Sequence, residues 1–134
     1  MARPKRGQQV PPPPIGDEWD LRYATKESLA FAEMEKQFPG NSAEAKARLK
    51  TAPTTRSDVQ KPLRGSLGKR SLGGVEMAQW QYDISSGARL WYCVDPDKRI
   101  VWLTLAAMGH PRATAARGKR APATARRPPG STYV

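Results

Sequence analysis

The stretch from residue 79 to residue 107 constrains the fold most, because it reads as three consecutive strands separated by turn signals. Apolar and polar residues alternate in the first two strands with a period of two, whereas the third, IVWLTLAA, is apolar on both faces. Ser85-Ser86-Gly87 and Asp95-Pro96-Asp97 have the composition of tight turns. The pattern therefore predicts an antiparallel meander with strands at residues 79–84, 88–94 and 100–107.

One strand and two helices are predicted before this meander. Residues 17–24 (DEWDLRYA) alternate as a half-buried strand does, and apolar residues recur at helical spacing within 26–37. Asn41 and Glu44 have the spacing of a capping box, which predicts a second helix that runs to about residue 51.

The order of these elements indicates an α+β fold with two layers. We expect a helical hairpin packed on one face of a mostly antiparallel sheet of four to five strands, in the order β-α-α-β-β-β. A short strand around Leu63 is a further candidate in the polar, glycine-rich stretch 54–75. The first strand is expected beside the last, since both are rich in aromatic residues and the helices can bridge them.

Charge is concentrated at the two ends of the chain. The 134 residues carry 23 Lys and Arg against 12 Asp and Glu, a net charge of +11, and neither 1–15 nor 113–134 contains an acidic residue. The proline run that ends the first segment favours an extended, solvated arm. We therefore predict a disordered arm at 1–15, a folded domain at 16–114 and a disordered Arg/Ala/Pro-rich tail at 115–134. A polyanionic partner suits this charge.

Cysteine and histidine are each present once, as Cys93 and His110, so no disulfide within the chain and no cysteine zinc site is expected. Cys93 lies in a predicted strand and is interpreted as a small core residue. The sequence predicts no metal, no small-molecule cofactor and no membrane span. The basic N-terminus leads into prolines and not into an apolar segment, so a cytoplasmic location is expected.

Seven segments of the chain form a recognisable series: WDLRYA, EKQFPGN, KPLRGSLG, WQYDI, GARLWYCVD, IVWL and GHPRAT. In this order and at these spacings, they resemble the RelE/ParE superfamily of bacterial toxins. The resemblance covers about residues 17–114 and implies the toxin component of a type II toxin–antitoxin system. Its implied partners are a cognate antitoxin, the ribosome and mRNA.

The RelE branch of this superfamily implies a metal-independent endoribonuclease, an mRNA interferase that cuts mRNA in the ribosomal A site and so inhibits translation. The ribose 2′-hydroxyl attacks the adjacent phosphate and leaves a cyclic phosphate and a 5′-hydroxyl. Two other functions remain open. One is inhibition of DNA gyrase, as in the ParE branch; the other is a non-catalytic, basic nucleic-acid-binding or interaction protein.

The resemblance implies a set of basic site residues. Arg89 corresponds to the arginine of the family's R-L-x-Y pattern and Arg64 to a basic residue in the preceding strand or loop; with His110 after the last strand, they are the candidate catalytic residues. The transition state carries extra negative charge, which an arginine fork can stabilise, and histidine titrates near neutral pH. The candidate RNA-binding residues are Lys61, Lys69, Arg70 and Arg112.

Each of these assignments has a structural alternative. Arg89 can form a surface ion pair with Asp83, KPLRGSLGKR can be a solvated loop, and His110 can have no role. Trp80 and Trp91 can stack on bases, or they can pack in the core or against an antitoxin. The second proton-transfer group is unassigned, with Glu76 and Tyr82 as candidates.

Overall fold

A computed structural model describes residues 4–109, which contain six strands and two α-helices. The strands are β1 (Asp20–Tyr23), β2 (Gln60–Pro62), β3 (Lys69–Leu72), β4 (Val75–Asp83), β5 (Arg89–Asp95) and β6 (Ile100–Ala107). Helices α1 (Phe31–Gln37) and α2 (Pro39–Thr51) lie between β1 and β2, and a 3₁₀ turn leads into α1. The α+β class is confirmed. Neither helix of the described part is long and apolar enough to cross a membrane.

All six strands form one mixed sheet in the order β1-β6-β5-β4-β2, and β3 also pairs with β4. Every pairing is antiparallel except that of β1 with β6, which is parallel. The predicted meander is confirmed, as is the predicted place of the first strand beside the last. α1 and α2 carry the chain from β1 at one edge of the sheet to β2 at the other, and β4 and β5 then bring it back to β6 beside β1.

β2 and β3 together form one interrupted edge strand. Both run antiparallel to β4 on the same edge: β2 opposite Trp80–Tyr82 and β3 opposite Val75–Ala78. The amide of Leu63 still donates to the carbonyl oxygen of Gln79 at 3.0 Å, and residues 64–68 then leave the edge, with a 3₁₀ turn at Gly65–Gly68. We predicted only one short strand here, near Leu63, and β3 was missed because KRSL has no apolar alternation. Gly73 and Gly74, both with positive φ, close the β3–β4 hairpin.

The core lies between one face of the sheet and the two helices. Phe31 and Met34 of α1 and Ala45 and Leu49 of α2 are fully buried against it. The sheet contributes a larger set of buried side chains, listed here: Leu21, Tyr23, Trp80, Tyr82, Ile84, Leu90, Tyr92, Val94, Val101, Leu103 and Ala106. The even-numbered residues of β4 and β5 therefore face the helices, as the alternation predicts.

The predicted capping box at the start of the second helix is wrong. α2 begins at Pro39, where proline suits the first helical position, and no side chain caps it. The side-chain amide of Asn41 instead donates a hydrogen bond of 2.7 Å to the carbonyl oxygen of Ile84. Asn41 thus ties the helix layer to the end of β4.

The N-terminal arm is packed in its described part, which differs from the disorder we expected for 1–15. Val10 is fully buried in the core, and its amide donates to the carbonyl oxygen of Leu21 at 2.7 Å. The amide of Tyr23 donates in turn to the carbonyl oxygen of Gln8 at 3.0 Å, so the arm lies antiparallel along the free edge of β1. The predicted tail at 115–134 lies outside the described residues.

The proline run of the arm also has partners. The ammonium group of Lys50, on the buried side of α2, donates to the carbonyl oxygen of Pro12 at 2.6 Å. Lys46 donates to the carbonyl oxygen of Pro11 at 3.0 Å. Composition predicted an extended proline segment, but it gave no sign that these carbonyl oxygens would satisfy a buried lysine.

We expect Val10→Ala to lower the free energy of unfolding by about 2 kcal/mol, because it removes buried methyl groups from a filled site. Urea denaturation followed by circular dichroism measures this change. Ile15→Ala is the matched control in the same arm, since Ile15 is 77% exposed and its loss should change stability by less than about 0.5 kcal/mol. Equal, small effects of both substitutions would mean that the arm does not contribute to the fold.

Candidate nucleic-acid interface

The face of the sheet turned away from α1 and α2 carries three of the predicted basic residues, Lys61, Arg70 and Arg89, and we call it the outer face. The odd-numbered residues of β4, from Met77 to Asp83, point to it, because their neighbours Trp80 and Tyr82 lie in the core. Residues directly opposite in register share a face, so the pairing of the strands identifies the rest. Its members on the other strands include Asp20, Arg22, Lys61, Arg70, Arg89, Trp91, Cys93, Asp95, Trp102, Thr104 and Leu105.

Arg89 is the first residue of β5 and stands on the outer face, directly opposite Asp83 of β4. It is half-buried. No ion pair joins the two residues, so the predicted surface pair with Asp83 is not formed, and Arg89 pairs with no other carboxylate within residues 4–109. Residues 110–134 contain no Asp or Glu side chain.

The Asp83 carboxylate is instead held by its own strand. The side-chain NH₂ group of Gln81 donates to Oδ1 of Asp83 at 2.8 Å. The side-chain oxygen of Gln81, Oε1, accepts a hydrogen bond of 2.8 Å from Nε1 of Trp91. Gln81 and Trp91 are directly opposite in the β4–β5 register. The hydrogen bond to Gln81 fixes the half-buried indole of Trp91 on the outer face, whereas Trp80 is buried in the core.

Lys61 shares the outer face with Arg89. It lies opposite Gln81 on the other side of β4, and it is exposed. With strands spaced about 4.8 Å apart and residues about 3.4 Å along a strand, the Cα atoms of Lys61 and Arg89 are roughly 12 Å apart. Both side chains are long enough to approach one nucleotide backbone.

Arg70 and Lys69, the last two residues of the basic stretch, fall on different faces. Arg70 lies on the outer face opposite Met77, roughly 20 Å from Asp83 along β4. Lys69 lies opposite Ala78 and points to the other face. The structure thus brings Arg70 to the far end of the outer face and separates Lys69 from the group.

Arg64 is exposed at the start of the excursion between β2 and β3. Gln79 anchors this excursion, since its side-chain amide donates to the carbonyl oxygen of Leu67 at 2.9 Å and its own oxygen accepts from Oγ1 of Thr104 at 2.7 Å. Gly68 allows the excursion to close, because an added Cβ would lie only 2.8 Å from the carbonyl oxygen of Leu63. Arg64 therefore starts an exposed but structured turn next to β2.

His110 and Arg112 lie outside the described residues. The last described residue, Gly109, lies against the β4–β5 turn, where an added Cβ on Gly87 would be 3.5 Å from its Cα atom. The described chain thus ends at the same rim of the sheet as Arg89.

The two candidates for a second proton-transfer group, Tyr82 and Glu76, both lie on the face of the sheet opposite to Arg89. Tyr82 is buried on the helix side of the sheet, and desolvation raises the pKa of its hydroxyl. Glu76 lies near the other end of β4, opposite Ser71, and on the face that Arg89 does not share. The carboxylate nearest to Arg89 in register is that of Asp83, which sequence reasoning had treated only as an ion-pair partner.

Cys93 is fully buried between strands, as predicted for a small core residue. Burial raises the pKa of its thiol to about 11, against a smaller lowering by the charge of Arg70. Within residues 4–109, no three His, Cys, Asp or Glu side chains lie together as metal ligands would.

The chain matches no protein-family model, no curated protein and no solved structure. Function is therefore inferred from the residues of the chain itself.

We expect Cys93 to be inert in the native protein. At pH 8, a thiol with a pKa of about 11 has roughly 100-fold less thiolate than one near its usual value, and only the thiolate reacts. Labelling with a chromogenic disulfide reagent, with and without denaturant, measures the two rates. Native labelling as fast as that of the denatured chain would contradict the buried position of Cys93.

Proposed function

We propose that this chain is the toxin of a toxin–antitoxin system and that it is a ribosome-dependent endoribonuclease of the RelE/ParE superfamily. The observation that carries the proposal is Arg89, a half-buried arginine on the outer face of the sheet that no carboxylate of the described residues neutralises. Two features support it: the chain has the expected α+β class, with two helices between its first strand and the rest of a mostly antiparallel sheet, and Lys61 shares the face.

The first requirement of the proposed reaction is positive charge close to the reacting phosphate. When the 2′-hydroxyl attacks the adjacent phosphate, the phosphorane-like transition state gains negative charge on its non-bridging oxygens. A fixed guanidinium can donate two parallel hydrogen bonds to these oxygens, and the gain is larger in the transition state than in the ground state. We assign this role to Arg89, and Lys61 adds a point charge for the RNA backbone.

Proton transfer is the second requirement, because the 2′-hydroxyl must lose a proton and the leaving 5′-oxygen must gain one. We retain His110 for one of these transfers, since it directly follows Gly109 at the rim where β5 begins. Arg64 remains a candidate for a further contact with the phosphate, and Arg70 and Arg112 for contacts with more distant nucleotides. Lys69, on the other face of the sheet, is removed from the proposed RNA site.

Arg89→Ala should abolish toxicity while the protein stays folded. Loss of one preorganised donor to a developing oxyanion lowers the rate by roughly 10²- to 10³-fold. Expression without antitoxin, followed by primer extension across mRNA, measures growth arrest and cleavage within codons, and thermal unfolding reports the fold. Arg48→Ala is the matched control, because Arg48 is an exposed arginine of α2 in the other layer.

Each alternative function has its own outcome in this experiment. Growth arrest with intact mRNA and loss of DNA supercoiling would reject cleavage in favour of gyrase inhibition. A wild-type chain that binds RNA with steep salt dependence, yet neither arrests growth nor cuts mRNA, would be a binding protein. Loss of folding in Arg89→Ala would make Arg89 a structural residue.

A further inference from the structure

We infer that Gln81 is a positioning residue, which keeps Arg89 available for an anionic ligand by holding the Asp83 carboxylate along β4. The inference concerns four residues that form a square on the outer face: Asp83 is opposite Arg89, and Gln81 is opposite Trp91. That Arg89 serves cleavage rests on the proposed function, but the arrangement of the four side chains does not.

An ion pair between Asp83 and Arg89 is what this register would otherwise favour. Opposite charges directly across an antiparallel pair attract each other, and their Cβ atoms lie about 5 Å apart. The described residues supply no other carboxylate partner for Arg89, and the chain beyond them has no Asp or Glu side chain. The missing ion pair therefore needs a cause, and the hydrogen bond of 2.8 Å from Gln81 to Asp83 provides one.

Trp91 gives this hydrogen bond its direction. An indole N–H can only donate, so the atom of Gln81 that lies 2.8 Å from Nε1 of Trp91 has to be the carbonyl oxygen. The amide NH₂ group must then point the other way, toward Oδ1 of Asp83. Trp91 thus prevents the amide from flipping, and the carboxylate of Asp83 is drawn toward Gln81 and away from the neighbouring strand.

Charge around the square is consistent with a ligand that is an anion. Lys61 lies opposite Gln81 on the far side of β4, so cations flank the tethered carboxylate on both neighbouring strands. Were Asp83 to swing onto Arg89, it would neutralise the cation best placed for a phosphate. Holding the carboxylate along its own strand leaves Arg89 without a carboxylate partner among residues 4–109.

The test is a double-mutant cycle read by NMR on the full chain. The pKa of the Asp83 carboxyl is measured with Arg89 present and in Arg89→Gln, first with Gln81 and then in Gln81→Leu. We expect Arg89→Gln to shift this pKa little when Gln81 is present and several times more when Gln81 is replaced, because the freed carboxylate then pairs with Arg89. Equal shifts in both backgrounds would overturn the inference, whether or not the chain cuts RNA.

Cleavage of mRNA supplies the second readout. Gln81→Leu should lower the cleavage rate about fivefold, as expected for a competing ion pair at a partly exposed position. Adding Asp83→Asn to Gln81→Leu should restore the rate to that of Asp83→Asn alone, since the amide cannot neutralise Arg89. Failure of this rescue would mean that Gln81 acts only through packing.

Two further variants keep the result interpretable. Gln37→Leu removes an exposed glutamine at the end of α1 and should leave both readouts unchanged. If Gln81→Leu does not fold, Trp91→Phe removes the indole N–H that orients the same amide and should raise the coupling between Asp83 and Arg89 in the same direction. A wild-type chain without cleavage activity would reject the proposed function, while the NMR cycle would still decide the role of Gln81.

Discussion

The parallel pairing of β1 with β6 is the constraint on which the rest of the structure depends. It joins residues 20–23 to residues 100–103, and so connects the start of the fold to its last strand. α1 and α2 carry the chain across one face of the sheet from β1 to β2 at the opposite edge, and the antiparallel strands then lead back to β6. Since both helices are used on that face, the other face remains for the side chains of Arg89, Lys61 and Trp91.

The parts of the fold that could be predicted are those where burial repeats along the chain. β4, β5 and β6 were predicted because each has either strict alternation or apolar residues on both faces. β3 was missed because it lies at an edge and buries little, so its register with β4, and not its composition, defines it. The packing of Val10 and the hydrogen bond of Asn41 to Ile84 depend on contacts between segments far apart in the chain, which local patterns do not encode.

The candidate site, like the fold, has parts that local sequence patterns predict and parts that depend on contacts between distant segments. The alternation of β5 correctly places Arg89 and Trp91 on one face, and the short turn 85–87 brings Asp83 opposite Arg89. Consecutive residues of a strand point to opposite faces, but that β3 forms here, and that Arg70 and not Lys69 faces outward, could not be foreseen, because the excursion after β2 hides the register of the edge strand. The role of Gln81 follows only from atomic distances, since a glutamine in a strand gives no sequence signal for the two partners of its amide.

The two edges of the sheet are arranged in a way that bears on aggregation. On one side, residues 8–10 occupy the hydrogen-bonding groups of β1; on the other, the excursion between β2 and β3 divides the border into two short pieces. A long, flat strand with unpaired amides and carbonyls would be a template for aggregation between copies of the chain. Within residues 4–109 neither border offers such a template, so this part of the chain can expose a half-apolar sheet face without inviting strand-to-strand association at its margins.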